Sequence, residues 1–386
     1  MTGKPSLTQW GTAALLCVAT LTIMVGSAIA PALPRIAGHV GMAENASWLI
    51  TLPSLGVVVF GPMGGRMIDR MGGRRAVMLG LLLYGFLGVI GAIITSVPLL
   101  LLDRFLLGGA TALVMAGGTV LISEFFEGGE RLRMIARQGM AIELGGVVFL
   151  SAAGLMAEIS WRLPFSLYLL AWLFCILVAV SIPDPAPAVE DDAVAQDDGV
   201  NWVGDIYFAA ALSLILFFAG FITLPGLLAD MGASEAMTGY YLAFVSLVAV
   251  CAAALMPRIQ LLAGTRTVFL VAFMCYAVAH TIYLSSPSLP ALIFAGFMMG
   301  GAFGFSIPLA NHEVVERSPR AVRGRNLAYL SSAVFLGQFL SSFLELFSPE
   351  KAVTFGSAAG LAVIGATIYA ILAQRAAPIR LPELPG

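Results

Sequence analysis

The stretch GRMIDRMGGRR, residues 65–75, lies between two long apolar runs and determines how the rest of the chain is interpreted. It gathers five Arg or Asp side chains beside three glycines, although only 11% of the chain is charged. Basic residues collect where a chain leaves the cytoplasmic face of a membrane. The stretch is therefore predicted to be a short connection between two membrane-spanning helices, with a role of its own.

The composition supports a membrane protein. Of the 386 residues, 59% are hydrophobic, whereas soluble domains carry about 45–50% apolar residues and roughly 25% charged ones. The surplus apolar surface must face lipid, and a spanning helix needs about 20 apolar residues. We therefore predict an all-α membrane protein with twelve transmembrane helices. The apolar runs lie at about 11–33, 46–66, 76–96, 99–121, 135–157, 164–183, 203–225, 237–257, 266–285, 288–308, 327–347 and 352–373.

The distribution of positive charge predicts the orientation. If the N-terminus is cytoplasmic, the outer side receives only Arg35, Arg104, Arg162 and Lys351 of the twenty Lys and Arg residues. The other sixteen lie on the cytoplasmic side, which is a strong positive-inside bias. We expect a multi-pass protein of the cell (inner) membrane with both termini in the cytoplasm, and residues 65–75 on the cytoplasmic side between helices 2 and 3.

An acidic, proline-containing segment divides the chain. Residues 184–201 have no long apolar run and are predicted to form a flexible cytoplasmic linker. The segment separates an N-terminal six-helix bundle, residues 1–183, from a C-terminal six-helix bundle, residues 202–375. Residues 376–386 are expected to be a cytoplasmic tail.

The two halves are similar in sequence. LPRIAGHVGMAE (33–44) aligns with LPGLLADMGASE (224–235) at an offset of 191, and the same offset places Gly73 over Gly264. A third region aligns at an offset of 192. Parallel six-helix repeats are a known transporter architecture, in which the substrate site lies between the halves near the middle of the membrane. The repeat therefore predicts two pseudo-symmetric bundles around a central site.

Several motifs resemble those of the major facilitator superfamily. The most specific is its signature between helices 2 and 3, a glycine followed by D-R-x-G-x-R-R, which stands here as Gly65, Asp69, Arg70, Gly72, Arg74 and Arg75. Arg104 followed by small residues is similar to the second signature of the family. APALPRIA (30–37) and WRLPF (161–165) resemble the 12-helix drug/proton antiporter branch. That branch usually has a Gly-Pro pair in helix 5, which ELGGVVFLSAAGLMAE (143–158) lacks.

The resemblance implies a cytoplasmic gate formed by the motif. Asp69 would accept hydrogen bonds from Arg74 or Arg75, with Glu124 as a second partner, and the cluster would dock on the N-terminus of helix 11. A carboxylate beside a helix N-terminus is favoured by about 0.3–1 kcal/mol. The contact would hold the cytoplasmic side shut while the outer side is open. The alternative is that the arginines only set the topology.

Glu143 is the strongest candidate for proton coupling. It lies about ten residues into predicted helix 5, near the bilayer centre, and charges inside spans are functional by default. Burial disfavours the charged form of a carboxyl group, so that such a group must be neutral or paired. The alternative is a structural partner of Arg104 or of a polar group on helix 11.

Three further polar residues lie inside predicted spans. Arg104 is about two turns into helix 4 and has Asp103 beside it. We expect this pair to take part in substrate or proton binding, or Arg104 to extend to the outer membrane surface. Gln338 on helix 11 is predicted to contact substrate, or else to form an interhelical hydrogen bond.

No enzyme signature or nucleotide-binding motif is present, so we expect neither an enzyme nor a cofactor or metal. The prediction is a monomeric, proton-coupled secondary transporter that exports a small organic molecule and has no nucleic-acid partner. Its partners would be the substrate, protons and the lipid bilayer. Two alternatives within transport are an exporter of an endogenous metabolite such as a siderophore or metallophore, whose anionic character Arg104 would suit, and an uptake symporter. Outside transport, the chain would be a membrane receptor or scaffold that retains the fold.

Overall fold

A computed structural model describes residues 7–184, 203–285, 288–319, 322–347 and 350–375. In these residues, twelve helical segments are long and apolar enough to cross a membrane, and no strand is present. The predicted fold class is thus confirmed. The segments are α1 Gln9–Val40, α2 Trp48–Met71, α3 Gly73–Ile90, α4 Val97–Phe125, α5 Gly128–Ile159, α6 Leu163–Ser181, α7 Gly204–Asp230, α8 Glu235–Ala263, α9 Thr265–Leu284, α10 Leu289–Arg317, α11 Arg323–Glu345 and α12 Lys351–Gln374.

The connection between α2 and α3 is shorter than predicted. α2 runs to Met71 and α3 starts at Gly73, so that Gly72 alone connects them, with φ of +83°. Glycine adopts this left-handed conformation without a steric penalty. Gly65, the first glycine of the motif, lies inside α2 with open space beside it.

The repeat is displaced by one residue at this point. Gly264, with φ of +77°, connects α8 to α9 as Gly72 connects α2 to α3. Gly72, and not Gly73, is therefore the counterpart of Gly264, and the offset here is 192 rather than 191. Sequence alignment alone misplaced the register because both candidates are glycines.

α5 begins earlier than the apolar run indicated. It starts at Gly128 instead of 135, so that Arg131 and Arg133 also lie on the helix. The added residues include Glu, Arg, Leu and Met, which are good helix formers in water. The helix therefore continues beyond its apolar part.

Small residues allow the helices within each half to approach closely. Gly56 of α2 and Gly108 of α4 face each other, and a Cβ on either would meet the backbone of the other helix. Gly300 and Gly304 of α10 lie against backbone carbonyls of α8 in the same way. Close backbone approach at small residues is the usual packing mode in membranes. The pair α2–α4 thus has its counterpart in α8–α10.

The two halves contact each other at one end of the molecule. We call the end that carries the α2–α3, α4–α5, α8–α9 and α10–α11 connections the arginine-rich face, and the opposite end the arginine-poor face. At the latter, Arg35 forms an ion pair of 3.4 Å with Glu235, and the rings of Trp48 and Phe339 lie 6.2 Å apart. These contacts close the arginine-poor face.

The arginine-rich face is open between the halves. A Cβ built on Gly61 or Gly65 of α2, or on Gly324 of α11, would meet nothing within 4 Å. Near the end of α8, Leu261 and Leu262 are 86% and 89% exposed. A cleft between the halves therefore opens toward this face.

The predicted linker at 184–201, apart from Asp184, and the predicted tail at 376–386 lie outside the described residues.

Candidate functional site

Glu143 lies on α5, one turn from a close approach of α5 to α8 at Gly146, on the side of the arginine-rich face. It is the sixteenth of the 32 residues of α5 and is half-buried. Farther toward the arginine-poor face, a Cβ on Gly154 would lie 2.7 Å from the carbonyl oxygen of Glu235 at the start of α8. A Cβ on Gly146 would lie 3.6 Å from Oγ of Ser246 on α8. Residues three apart share a helix face, so that Glu143 is on the α8-facing side of α5, one turn beyond Gly146 toward the arginine-rich face.

No described residue forms a hydrogen bond or ion pair with the Glu143 side chain. The alternative in which Glu143 is a structural partner of Arg104 is wrong for this conformation, because the Arg104 guanidinium is bound elsewhere. Gln338 of α11 does not pair with it either. Glu143 is thus an ionisable group at mid-membrane depth whose charge no described side chain balances.

Arg104 is enclosed within the N-terminal half. The side chain is 0% exposed, so that the predicted alternative of an extension to the membrane surface is wrong. Its Nη2 donates to Oδ2 of Asp103 at 2.6 Å and to the carbonyl oxygen of Leu87 at 3.0 Å. The guanidinium also lies 5.6 Å from the ring centroids of Phe165 and Tyr168. Leu87 lies near the end of α3, and Phe165 and Tyr168 lie near the start of α6. None of these partners belongs to the C-terminal half.

The neighbourhood of the Arg104 side chain leaves no space for another group. A Cβ on Gly91, just after α3, would clash with the guanidinium. Asp103 is 3% exposed, and its Oδ1 has no hydrogen-bond partner among the described residues. The pair therefore fixes α3, α4 and α6 to one another and does not face the cleft in this conformation.

Polar residues of α11 take part in the closed arginine-poor face. The Ser342 hydroxyl forms a hydrogen bond with that of Thr51 on α2, across the two halves. Glu345, the last residue of α11, accepts from Thr223 of α7 at 3.5 Å. Gln338 is buried, and its backbone carbonyl oxygen accepts a hydrogen bond from the Ser341 hydroxyl. The sequence predicted a polar contact for Gln338 but did not show that this part of α11 closes the arginine-poor face.

The gate motif is not assembled as predicted in this conformation. Arg74 donates to Asp184 at 2.9 Å and to the carbonyl oxygen of Ala179 at 2.7 Å, both at the end of α6. The expected bond from Arg74 to Asp69 is absent. Asp69 and Arg70 are exposed and, like Arg75, have no ion-pair partner among the described residues.

Glu124, near the end of α4, lies beside the start of α3. Its Oε2 would be 3.3 Å from a Cβ on Gly73, the first residue of that helix. A carboxylate at a helix N-terminus is stabilised by the unpaired N–H groups there. Glu124 therefore lies where the N-terminus of α3 within its own half favours a negative charge, and Gly73 leaves the space that it needs.

A polar cluster in the C-terminal half was not predicted. Arg317 of α10 donates to Asp205 of α7 at 3.0 Å and to Glu313 at 2.8 Å. Glu313 also accepts from Thr265 at 2.5 Å and from Gln260 at 3.0 Å. The i, i+4 spacing of Glu313 and Arg317 was the available signal. Glu313 thus lies beside the N-terminus of α9, as Glu124 lies beside that of α3.

Comparison with known proteins identifies the family. The sequence profile described as Major Facilitator Superfamily matches residues 15–342. The chain is 32% identical over 156 residues to the puromycin resistance protein pur8 of Streptomyces alboniger, covering 40% of this chain and 31% of that protein. It is 24% identical over 205 residues to multidrug resistance protein 1 of Bacillus subtilis, covering 52% and 53%.

A third relative carries a different description. The cephamycin export protein CmcT of Amycolatopsis lactamdurans is 32% identical over 170 residues, covering 42% of this chain and 34% of that protein. The alignments with these three relatives therefore span between about a third and about a half of the length of each.

Solved structures show the same fold at low sequence identity. A D-xylose-proton symporter superimposes with a TM-score of 0.76 and 16% identity, covering 95% of this chain and 98% of that one. A bacterial homolog of the human lysosomal transporter Spinster, in an inward-facing and occupied conformation, gives a TM-score of 0.76 and 14% identity, covering 95% and 96%.

Proposed function

Because the chain belongs to the major facilitator superfamily, we propose that it is a proton-coupled secondary transporter that exports a small organic molecule by alternating access. The arginine-rich face and both termini would be cytoplasmic, as the positive-inside rule requires. The cleft would then open to the cytoplasm in the conformation described here, and cargo would enter it from that side. The membrane would be the cell (inner) membrane.

The position of Glu143 is the observation on which the proposal rests. It is half-buried, one turn beyond the close approach of α5 to α8 at Gly146 toward the open arginine-rich face, and no described residue balances its charge. When the arginine-rich face closes, α5 and α8 must come together over this residue. A carboxylate buried without a partner is strongly disfavoured. Closure therefore requires that a proton or a positively charged cargo neutralise Glu143.

This requirement couples two movements through one group. Cargo bound at Glu143 from the cytoplasm displaces the proton, and closure then carries the cargo outward. After the cargo leaves, only a protonated Glu143 lets the empty protein return. One proton thus moves inward for each cargo molecule that moves outward. Exchange of one proton for one singly charged cation moves no net charge, so that the pH gradient alone drives it, and each pH unit supplies about 1.4 kcal/mol, or roughly tenfold accumulation.

The geometry favours a cationic cargo over an anionic one. Arg104 was the residue that suited an anionic siderophore or metallophore, but its guanidinium is 0% exposed and bound within the N-terminal half. The carboxyl group of Glu143, by contrast, forms no hydrogen bond or ion pair with a described residue. The printed names of two relatives, a puromycin resistance protein and a multidrug resistance protein, agree with a small organic cargo.

Export of an endogenous metabolite is the second candidate. The relative described as a cephamycin export protein supports it, because such a transporter would carry a product made by the cell itself. The same site would serve this function, with a narrower choice of cargo. Direct flux measurements distinguish export from uptake by symport and from a receptor or scaffold role without transport.

Replacement of Glu143 by Gln tests the proposal. Everted membrane vesicles expose the cytoplasmic face, and an inside-acid gradient should drive accumulation of a fluorescent aromatic cation such as ethidium. Glu143→Gln keeps the shape but cannot change charge, so that accumulation should fall by the roughly tenfold that each unit of the pH gradient supplies. Exchange between equal pools of the cation, measured without a gradient, should persist.

The matched control is Glu158→Gln, which removes an exposed carboxylate at the other end of the same helix. Its accumulation should equal that of the unmodified protein. Gradient-driven accumulation by correctly inserted Glu143→Gln would remove Glu143 from the coupling mechanism. Gradient-driven loss of the cation from the vesicles would indicate symport, and no flux of any tested cargo would favour the receptor or scaffold role.

A further inference from the structure

A small basic pocket lies at the arginine-rich end of α5. It has a volume of about 260 Å³ and is lined by Phe126, Glu130, Arg133, Met134 and Arg137. Phe126 follows the last residue of α4, and the other four are on the first turns of α5. None of these residues takes part in the inter-half contacts or in the coupling mechanism proposed above.

The pocket lies on the lipid-facing side of α5. Following Arg133 and Arg137 at intervals of three, four or seven residues, the same helix face carries a row of exposed apolar side chains. This row reaches the far end of α5, where the cleft is closed, so that it faces the bilayer and not the cleft. Its members are Met140, Leu144, Val148, Leu155 and Ile159, which are 48–78% exposed.

The pocket is therefore positioned at the headgroup level, directly above a lipid-exposed groove. The opposite side of α5 packs on α1 and α8, where Gly145 contacts Thr20 and Gly154 contacts Glu235. Acyl chains along the apolar row would place a headgroup at the pocket. Arg133 and Arg137 are both exposed and one turn apart, so that both can reach one phosphate group.

We propose that this pocket, formed by Arg133, Arg137, Glu130, Phe126 and Met134, binds the headgroup of an anionic phospholipid of the cytoplasmic leaflet. The two guanidinium groups bind the phosphate. Glu130 lies 3.9 Å from Arg133 in a loose, exposed pair and accepts from headgroup hydroxyls. The two arginines and one carboxylate carry a net charge of +1, which matches one phosphatidylglycerol. Phe126 and Met134 form the apolar floor, with Met134 only 2% exposed.

The lipid would act on the conformational cycle through α5. The pocket is at the end of α5 that moves when the arginine-rich face closes, on the same helix as Glu143. An anionic lipid bound there would hold this end of the helix at the membrane surface. The proposal concerns lipid binding alone and stands whether or not Glu143 couples protons.

Lipid titration of the purified full-length protein tests the proposal. Native mass spectrometry of delipidated protein should show tighter binding of the first phosphatidylglycerol than of phosphatidylcholine or phosphatidylethanolamine. Near an anionic surface each arginine contributes about a fivefold factor in affinity. Arg133→Gln with Arg137→Gln should therefore weaken binding of phosphatidylglycerol roughly twentyfold to thirtyfold, to the level of phosphatidylcholine.

The control variant Arg66→Gln with Arg131→Gln makes the same charge change on the same face. Arg66 and Arg131 are exposed but do not line the pocket, so that selective lipid binding should remain. An equal loss of binding in both double variants, or no preference for phosphatidylglycerol, would overturn the proposal. So would displacement of the lipid by soluble glycerol phosphate that binds as tightly as phosphatidylglycerol does. Circular dichroism of each variant confirms that the fold is retained.

Discussion

At the scale of single residues, the buried pair of Asp103 and Arg104 is expected to stabilise the N-terminal half. Arg104→Met would leave Asp103 buried without a counterion, and breaking a buried pair costs roughly 3–5 kcal/mol. Replacing both residues, with Asp103→Leu and Arg104→Met, removes the unpaired charge and should recover much of the loss. Thermal unfolding of the purified variants in detergent should show a lower melting temperature for the single variant and partial recovery for the double variant.

Arg162 provides the comparison for this experiment. It lies 4.4 Å from the Trp161 ring at the exposed end of α6, where a cation–π contact contributes about 0.5–1 kcal/mol. Arg162→Met should therefore change the melting temperature much less than Arg104→Met. A double variant as unstable as Arg104→Met would mean that the arginine stabilises the protein through packing and its carbonyl partners rather than through Asp103.

The sequence predicted single-residue positions better than single-residue contacts. Glu143 was placed at mid-membrane depth because its depth depends only on the length of α5. The burial of Arg104 was missed because Leu87 and Tyr168, which accept its hydrogen bonds, come from other helices. Arg74 binds Asp184, which is 110 residues away. Contacts between distant positions depend on how helices pack, and one sequence does not encode them locally.

At the scale of helices, the close contact of α5 and α8 is expected to hold the arginine-poor face shut. A Cβ on Gly154 would lie 2.7 Å from a backbone oxygen of α8, which cannot turn away as a side chain does. Gly154→Val should therefore push the helices apart. Overpacking costs about 1–3 kcal/mol, which shifts a two-state equilibrium roughly five- to 150-fold. The shift is toward a conformation open at the arginine-poor face.

Cysteine labelling measures this opening. Ser342 is buried between the halves, and Ser342→Cys in a background without the four native cysteines should react with an impermeant maleimide only when that face opens. Gly154→Val should accelerate the reaction. Gly139→Val on the same helix has nothing within 4 Å and should leave the rate unchanged. Equal rates in all three proteins would show that the α5–α8 contact does not control the opening.

Helix number could be predicted from the sequence, but helix ends could not. A run of about 20 apolar residues marks a span because lipid requires it. Water makes no such demand, and the first turns of α5 therefore extend beyond the membrane without an apolar signal. The connection at Gly72 is shorter than the charged stretch suggested, because charge marks the membrane boundary and not the end of a helix.

At the scale of the whole molecule, the repeat predicted two similar halves but not which face is open. The halves differ in orientation between states by rigid movement, and the states of such a protein are separated by only a few kcal/mol. The same sequence must be compatible with all of them. Asp69 and Arg74 show the consequence, because the predicted bond between them is absent while the arginine-rich face is open.

The gate hypothesis therefore concerns the state that is closed at the arginine-rich face, where Asp69 would meet the N-terminus of α11. Asp69→Asn keeps the shape and removes the charge. Loss of about 1–2 kcal/mol from the closed state would shift the equilibrium roughly five- to thirtyfold toward the open one.

Spin labels at Ser123 on α4 and Glu316 on α10 report the opening, since both lie near the arginine-rich ends of their helices. The population at long distance should increase, and transport should slow because the closed state is visited less often. Glu44→Gln, which removes an exposed charge at the opposite face, should alter neither quantity. If Asp69→Asn leaves the distance distribution and the flux at the level of the unmodified protein, the arginines of residues 65–75 set only the topology and Asp69 has no part in the gate.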